Sequence, residues 1–138
     1  VLKAVIDTNV WVSGLLTHGK PREVLNRFEN GLFTISYPPE LIDELRKIPN
    51  HRKLASRIST AELENIIALI ELSGTLITIG HVPPVSRDPN DDIFLACAVS
   101  SHSDFLITGD NDLLDLKTQS STEIVTPAAF LEILTTQS

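Results

Sequence analysis

Two apolar runs in this chain lead into carboxylates. Ala4-Val5-Ile6 ends on Asp7, and Phe105-Leu106-Ile107 passes through Thr108-Gly109 into Asp110, with Asp112 close behind. Two further acids occupy helical patterns: Glu44 in Glu40-Leu41-Ile42-Asp43-Glu44-Leu45, and Asp91 in Asp88-Pro89-Asn90-Asp91-Asp92. Oxygen donors suit hard divalent cations, and Mg²⁺ usually takes one or two carboxylates together with waters and substrate phosphates. Three or four carboxylates in one cleft repel one another unless a cation lies among them. Were Asp7, Glu44, Asp91 and Asp110 to converge, the chemistry they could support is metal-assisted hydrolysis of a phosphate ester. The plainer reading of Asp7 is as the cap of a helix starting near Val10.

No other constellation competes. The four histidines, His18, His51, His81 and His102, lack ligand spacing, and there is no phosphate-binding glycine loop and no nucleophile elbow. Cys97, the lone cysteine, lies in an apolar run and reads as a small buried hydrophobe. It offers no disulfide framework and suits a reducing compartment.

The elements that must position these acids follow from periodicity and punctuation. Residues 1–6 are apolar apart from Lys3, rich in β-branched residues and too short for a helix, which predicts a buried strand. Residues 10–16 predict a short helix or turn, weakened by Gly14. Pro21 opens a helix that Gly31 stops, and residues 32–36 form a second strand. Pro38-Pro39 opens a helix to about Ile48, with Leu41, Leu45 and Ile48 as its buried stripe. Glu44 stands at the edge of that stripe and can look into a cleft, whereas Asp43 points nearly opposite. Ser59-Thr60-Ala61-Glu62 is a capping box for a helix ended by Gly74, followed by a strand at 75–79 and a loop at 81–86. Asp88 then caps a helix with Pro89 at its first position. Its body is apolar all round, so it packs against the sheet, with Asp91 on a packed face and Asp92 turned outward. Strands at 104–108 and 123–125 and a final helix from Thr126-Pro127 complete an α/β alternation around a mostly parallel sheet of about five strands.

With 138 residues the chain is expected to form a single domain, 1–138, with one substantial core. A hydrophobic content of 42% and a mean hydropathy of +0.11 exclude a disordered chain. No apolar run reaches the ~20 residues of a membrane span and no signal-peptide pattern opens the chain, so the expected location is cytoplasmic. The net charge of −7 is unevenly spread. Residues 88–115 hold seven aspartates and no lysine or arginine, while 46–57 hold Arg46, Lys47, Arg52, Lys53 and Arg57 and no acid. One segment could hold cations and the other could meet phosphates. Two solvated faces of opposite sign are the simpler explanation.

Four blocks together resemble the PIN-domain ribonucleases, in the branch described as toxin components of toxin–antitoxin systems. They are Val5-Ile6-Asp7-Thr8-Asn9-Val10-Trp11-Val12-Ser13, then Glu40-Leu41-Ile42-Asp43-Glu44-Leu45, then Arg87-Asp88-Pro89-Asn90-Asp91-Asp92-Ile93-Phe94-Leu95-Ala96-Cys97-Ala98, and Ser103-Asp104-Phe105-Leu106-Ile107-Thr108-Gly109-Asp110-Asn111-Asp112-Leu113-Leu114. The closing Ile124-Val125-Thr126-Pro127-Ala128-Ala129-Phe130-Leu131 also fits. The resemblance implies a PIN-like three-layer sandwich and an acid quartet of Asp7, Glu44, Asp91 and Asp110, with Asp112 as a neighbouring metal ligand. Asp88 and Asp92 are the register rivals of Asp91, and Glu40 is the rival of Glu44. Thr8, Asn9, Ser13 and Thr108 match positions that orient acids or contact phosphate. Also implied are Mg²⁺ or Mn²⁺ as cofactor, single-stranded RNA as substrate and an antitoxin protein as partner. Pairing of two subunits, the commonest symmetry, could join two basic segments into one groove.

Two other function classes are open to such a sequence. A non-catalytic interaction module could use the acids to hold a structural cation or a basic partner. A phosphotransfer domain of the haloacid-dehalogenase or receiver type also puts aspartates at strand ends. The first needs a second aspartate where Asn9 stands, and the second needs a lysine at a later strand end, where this chain has Thr108-Gly109-Asp110.

Overall fold

The computed structural model describes residues 1–136. In chain order the elements are β1 (Lys3–Ile6), α1 (Thr8–Leu16), α2 (Lys20–Glu29), β2 (Thr34–Tyr37), α3 (Pro39–Arg46), a 3-10 turn (Ile48–Asn50) and α4 (Arg52–Ala55). They continue with α5 (Thr60–Ser73), β3 (Thr75–Leu76), α6 (Pro89–Ser100), β4 (Phe105–Ile107), α7 (Asn111–Leu114), β5 (Thr118–Gln119), β6 (Thr122–Val125) and α8 (Pro127–Thr136). The fold is α/β, as the alternation of elements predicts.

The sheet runs β3-β2-β1-β4-β6-β5, parallel throughout except for the β5–β6 hairpin. From β1 the chain builds outward to β2 and β3, then returns to add β4 and β6 on the other side. The strand order therefore reverses between β1 and β4, and the crevice outside their carboxyl ends is where open parallel sheets bind ligands. Ala4, Val5 and Ile6 pair with Phe105, Leu106 and Ile107, so both acid-bearing segments leave the sheet side by side. Both strands are buried along these residues, which is why they read as continuous apolar runs.

Helix α2 packs on both α1 and α8, α6 lies against β1, β2 and β4, and α5 packs against β2 and α3. Trp11 is fully buried and meets Phe28 edge-on at 5.5 Å. Phe130 meets Phe33 and Phe105 in the same way, at 4.8 and 5.6 Å. Arg22 of α2 pairs with Glu62 of α5 and donates to the Leu15 carbonyl at 3.2 Å, tying three helices together.

The elements depart from expectation at several points. The third strand stops at Leu76 rather than residue 79, because its partner β2 ends at Tyr37 and Pro38-Pro39 turns that chain into α3. A two-residue strand, β5, adds a sixth member through a hairpin too short to leave a periodic signal. Finally, α3 ends at Arg46, and Ile48 belongs to the 3-10 turn that follows.

Gly14 does not interrupt α1. It permits the close approach of α2: a Cβ there would lie 2.7 and 2.9 Å from the two Leu25 methyls and 3.0 Å from the Pro21 carbonyl oxygen. In an exposed helix Gly→Ala gains up to about 1 kcal/mol. Here Leu25 is fully buried and the Pro21 contact is backbone, so Gly14→Ala should destabilise by about 1–3 kcal/mol in urea unfolding. A stabilised variant would show that the two helices separate freely.

Candidate active site

Each acid is held by the end of a different element. Asp7 follows β1, and its backbone N–H continues the ladder to the Ile107 carbonyl at 3.1 Å. Its Oδ1 accepts the Val10 N–H at 3.0 Å and so caps α1, while Oδ2 accepts the Thr108 hydroxyl. The capping reading is therefore correct, and it orients the carboxylate without removing it from the cavity. The Trp11 indole N–H donates to the Ile6 carbonyl at 3.1 Å and fixes the strand end from behind.

Thr108 connects the two strand ends. Its Oγ1 donates to Asp7 and accepts the Asp110 N–H at 3.0 Å. Asp110 caps α7, with its Oδ1 accepting the N–H groups of Asp112 at 2.8 Å and Leu113 at 3.3 Å. Asp88 caps α6 by accepting the Asn90 N–H at 2.9 Å, and Pro89 opens the helix. That start places Asp91 in the first turn, only 7% exposed. Glu44 is half-buried on α3 beside fully buried Leu41 and Leu45, and Asp43 is exposed.

Asp7, Glu44 and Asp91 line one cavity of about 110 Å³, together with Thr8, Asn9, Asp88, Asn90 and Phe94. Asp110 approaches from the β4 side, near enough for its carboxylate to act on Asp91. Burial, then the Asp110 carboxylate, then the charges of Asp88 and Asp7 push Asp91 up to about 7. Near neutral pH Asp91 is therefore partly protonated, and the cluster carries less negative charge than its formal count. Burial also raises Asp7, with the Asp110 charge adding to the rise; the bonds from Thr108 and Val10 oppose it.

The donor set suits a hard cation. It is all oxygen, it lacks positive charge, and the Thr8 hydroxyl on its wall is buried without a hydrogen-bond partner. The acids do not form a closed cage, since among the described residues no group of three or more histidine, cysteine or carboxylate side chains stands ready to ligate an ion. Such an open arrangement would suit a divalent cation held partly through waters.

Other expected residues lie elsewhere. Asp112 does not line the cavity; its Oδ2 is 3.4 Å from Arg87 Nε. The expectation that Asp92 faces solvent is wrong. It is 5% exposed and accepts the Ser86 N–H at 2.7 Å, because the loop before α6 folds back over the helix's first turn. Ser13 lines a neighbouring cavity of about 300 Å³ that shares Asn9 with the acid cavity. Glu40 lines neither. Arg46 is paired with Glu71 at 3.4 Å, and Lys47, Arg52, Lys53 and Arg57 are exposed on and around α4, outside the acid cavity. Cys97 is fully buried, and burial pushes its thiol up to about 12, as befits a core residue. Sequence reasoning missed Asn90 and Phe94 as cavity walls. Phe94 was findable, since it lies three residues after Asp91 and so on the same helical face.

A family model of the PIN domain matches residues 3–112. The chain belongs to the PIN-domain family. The matched span runs from β1 into the first turn of α7 and contains Asp7, Glu44, Asp91 and Asp110. No curated protein matches the chain. PIN domains are typically nucleases and generally use divalent metal ions. An all-oxygen acidic cavity at the switch point of this PIN domain is in keeping with that chemistry. Among the described residues, no helix is long and apolar enough to cross a membrane.

Proposed function

We propose that this PIN domain is a Mg²⁺- or Mn²⁺-dependent endoribonuclease that hydrolyses single-stranded RNA. What carries the reading is the meeting of Asp7, Glu44 and Asp91, from three separate elements, on one small cavity beside the β1–β4 crevice. Asp7, Glu44, Asp91 and Asp110 would hold the metal. When bound, it supplies a water of lowered pKa and polarises the scissile phosphate. The residues of the chain do the rest. Thr108 and the Val10 N–H fix both oxygens of Asp7, so its carboxylate does not rotate during the reaction. Asp91 holds its proton to higher pH than an ordinary aspartate, and a cation held there would favour its ionised form, the proton passing to solvent. Asn9 and the Thr8 hydroxyl stand on the wall where a phosphate oxygen would arrive, and Ser13 lies one cavity further along. The chain acts as one nuclease unit in the cytoplasm, as the toxin of a toxin–antitoxin pair, and works as a homodimer. Cleavage of an end-labelled single strand, with and without chelator, tests the reading.

An acidic protein must hold a polyanion through a local basic surface. The exposed Arg52, Lys53 and Arg57 follow the helix that carries Glu44, and none of them has a salt-bridge partner among the described residues. Each phosphate contact to a single strand contributes about 0.7 to the slope of log affinity against log salt. Replacing all three with glutamine should therefore weaken binding and flatten that slope by up to about 2, with metal affinity unchanged. Binding that follows the parent across a salt titration would place the RNA elsewhere.

A further inference from the structure

A second cavity, of about 230 Å³, lies beneath the loop that precedes α6. Pro83, Val85, Leu95 and Val99 supply its apolar walls, and Asp92 lines it as a carboxylate more than nine-tenths buried. Asp92 has one hydrogen bond, from the Ser86 N–H at 2.7 Å. An ionised carboxylate has roughly four acceptor sites, and among the described residues no lysine, arginine or histidine pairs with it. None of the residues lining the cavity is a lysine or arginine, and His81, which lines it with Ser100 and Gln119, forms no ion pair with Asp92. A buried carboxylate without a cation is costly, and a largely apolar cavity that contains one has a definite complement: an aliphatic stem carrying a positive head. Size narrows the choice. Drug-sized ligands fill about 300–1,000 Å³, so this cavity takes a single side chain rather than a whole small molecule.

We propose that the Asp92 cavity seats one basic side chain, arginine or lysine, from a partner polypeptide. The stem lies along Pro83, Val85, Leu95 and Val99, and the head pairs with Asp92. The chain's net charge of −7 favours a basic partner. The seat is independent of the nuclease reading. Asp91 and Asp92 are adjacent in the first turn of α6 but line different cavities.

The test is a nuclear magnetic resonance titration of the isotope-labelled full chain. The probes are N-acetylated, amidated Gly-Arg-Gly and Gly-Lys-Gly, the neutral citrulline counterpart of the first, and spermidine. The basic tripeptides should give saturable shifts at the amides of Ser86, Asp92 and Val99, with Kd of about 1–10 mM, as suits one side chain. The citrulline peptide should bind at least about tenfold more weakly, since it lacks the charge. Asp92→Asn keeps an oxygen for the Ser86 N–H and removes the charge, so it should lose about tenfold or more for the basic probes. Ala96→Leu narrows the cavity without touching the carboxylate and should weaken them too. Equal binding of the citrulline peptide would overturn the proposal, as would shifts centred on Asp7, Asn9 and Glu44. Spermidine saturating the Asp92 amides more tightly than either tripeptide would make this a polyamine site and equally overturn it.

Discussion

Asp7→Asn should lower metal-dependent cleavage by more than about 100-fold and leave the protein folded. The size follows from position: removing partners that merely orient metal ligands already costs about 10–100-fold, and Asp7 is placed as a ligand. The fold should survive because asparagine keeps an oxygen for the Val10 N–H and so keeps the α1 cap. Its amide nitrogen would face Thr108, whose hydroxyl must turn to accept it. Asp7 is 3% exposed, and its carboxyl is raised chiefly by burial. Above neutral pH the variant therefore sheds the cost of burying a charge, and without metal it should melt at the parent's temperature or a few degrees higher, where about 1 kcal/mol corresponds to roughly 2–8 °C. Cleavage and melting should be measured together at pH ~8. Undiminished cleavage would remove Asp7 from the mechanism, and a collapsed fold would reduce its role to the cap.

The second large effect is a pH dependence set by Asp91. Its carboxyl stands at about 7 in the folded protein against 3.8 for an unperturbed aspartate. Below pH ~4 it is protonated folded or unfolded, and its favourable contribution is fully present. Between about 4 and 7 the unfolded chain has released a proton that the folded chain still holds, so stability falls as pH rises, by up to about 1.4 kcal/mol per pH unit. Above ~7 both states have released it and the loss is complete. Asp91→Asn abolishes this dependence. Without metal, the variant should gain on the parent steadily from pH 4 to 7, then hold a constant lead on the order of 2–4 kcal/mol. Urea midpoints across that range read the difference directly. A parent–variant gap that does not change with pH would show that burial and the neighbouring acids do not hold Asp91 protonated.

The acid constellation was legible because it depends on strand ends and helix registers, which short-range rules govern. Asp7 and Asp110 stand at the ends of apolar strands, Asp88-Pro89 fixes where α6 begins, and the Leu41–Leu45 stripe sets the direction of Glu44. What was not legible depends on pieces of chain meeting across space. The outward reading of Asp92 took α6 in isolation, and only the return of residue 86 over its first turn buries that side chain. Gly14 looked like a helix weakness because the sequence does not reveal that Leu25 packs against its bare face. Arg46 belonged to an unpaired basic run until α5 brought Glu71 within 3.4 Å. The two-residue β5 leaves no pattern, since its pairing is created by the β6 hairpin. The pairing of Asp112 with Arg87, 25 residues away in sequence, likewise forms only in the fold.

Under our proposal the cavity of Asp7, Glu44 and Asp91 cleaves RNA with the help of a divalent ion. The most direct test is to incubate an end-labelled single-stranded RNA with the purified full chain in Mg²⁺ or Mn²⁺, alongside chelator and alongside Asp7→Asn. Internal cleavage should appear with metal and be absent from both controls. Cleavage that persists in chelator or in the variant would contradict the claim, as would an intact strand under every metal.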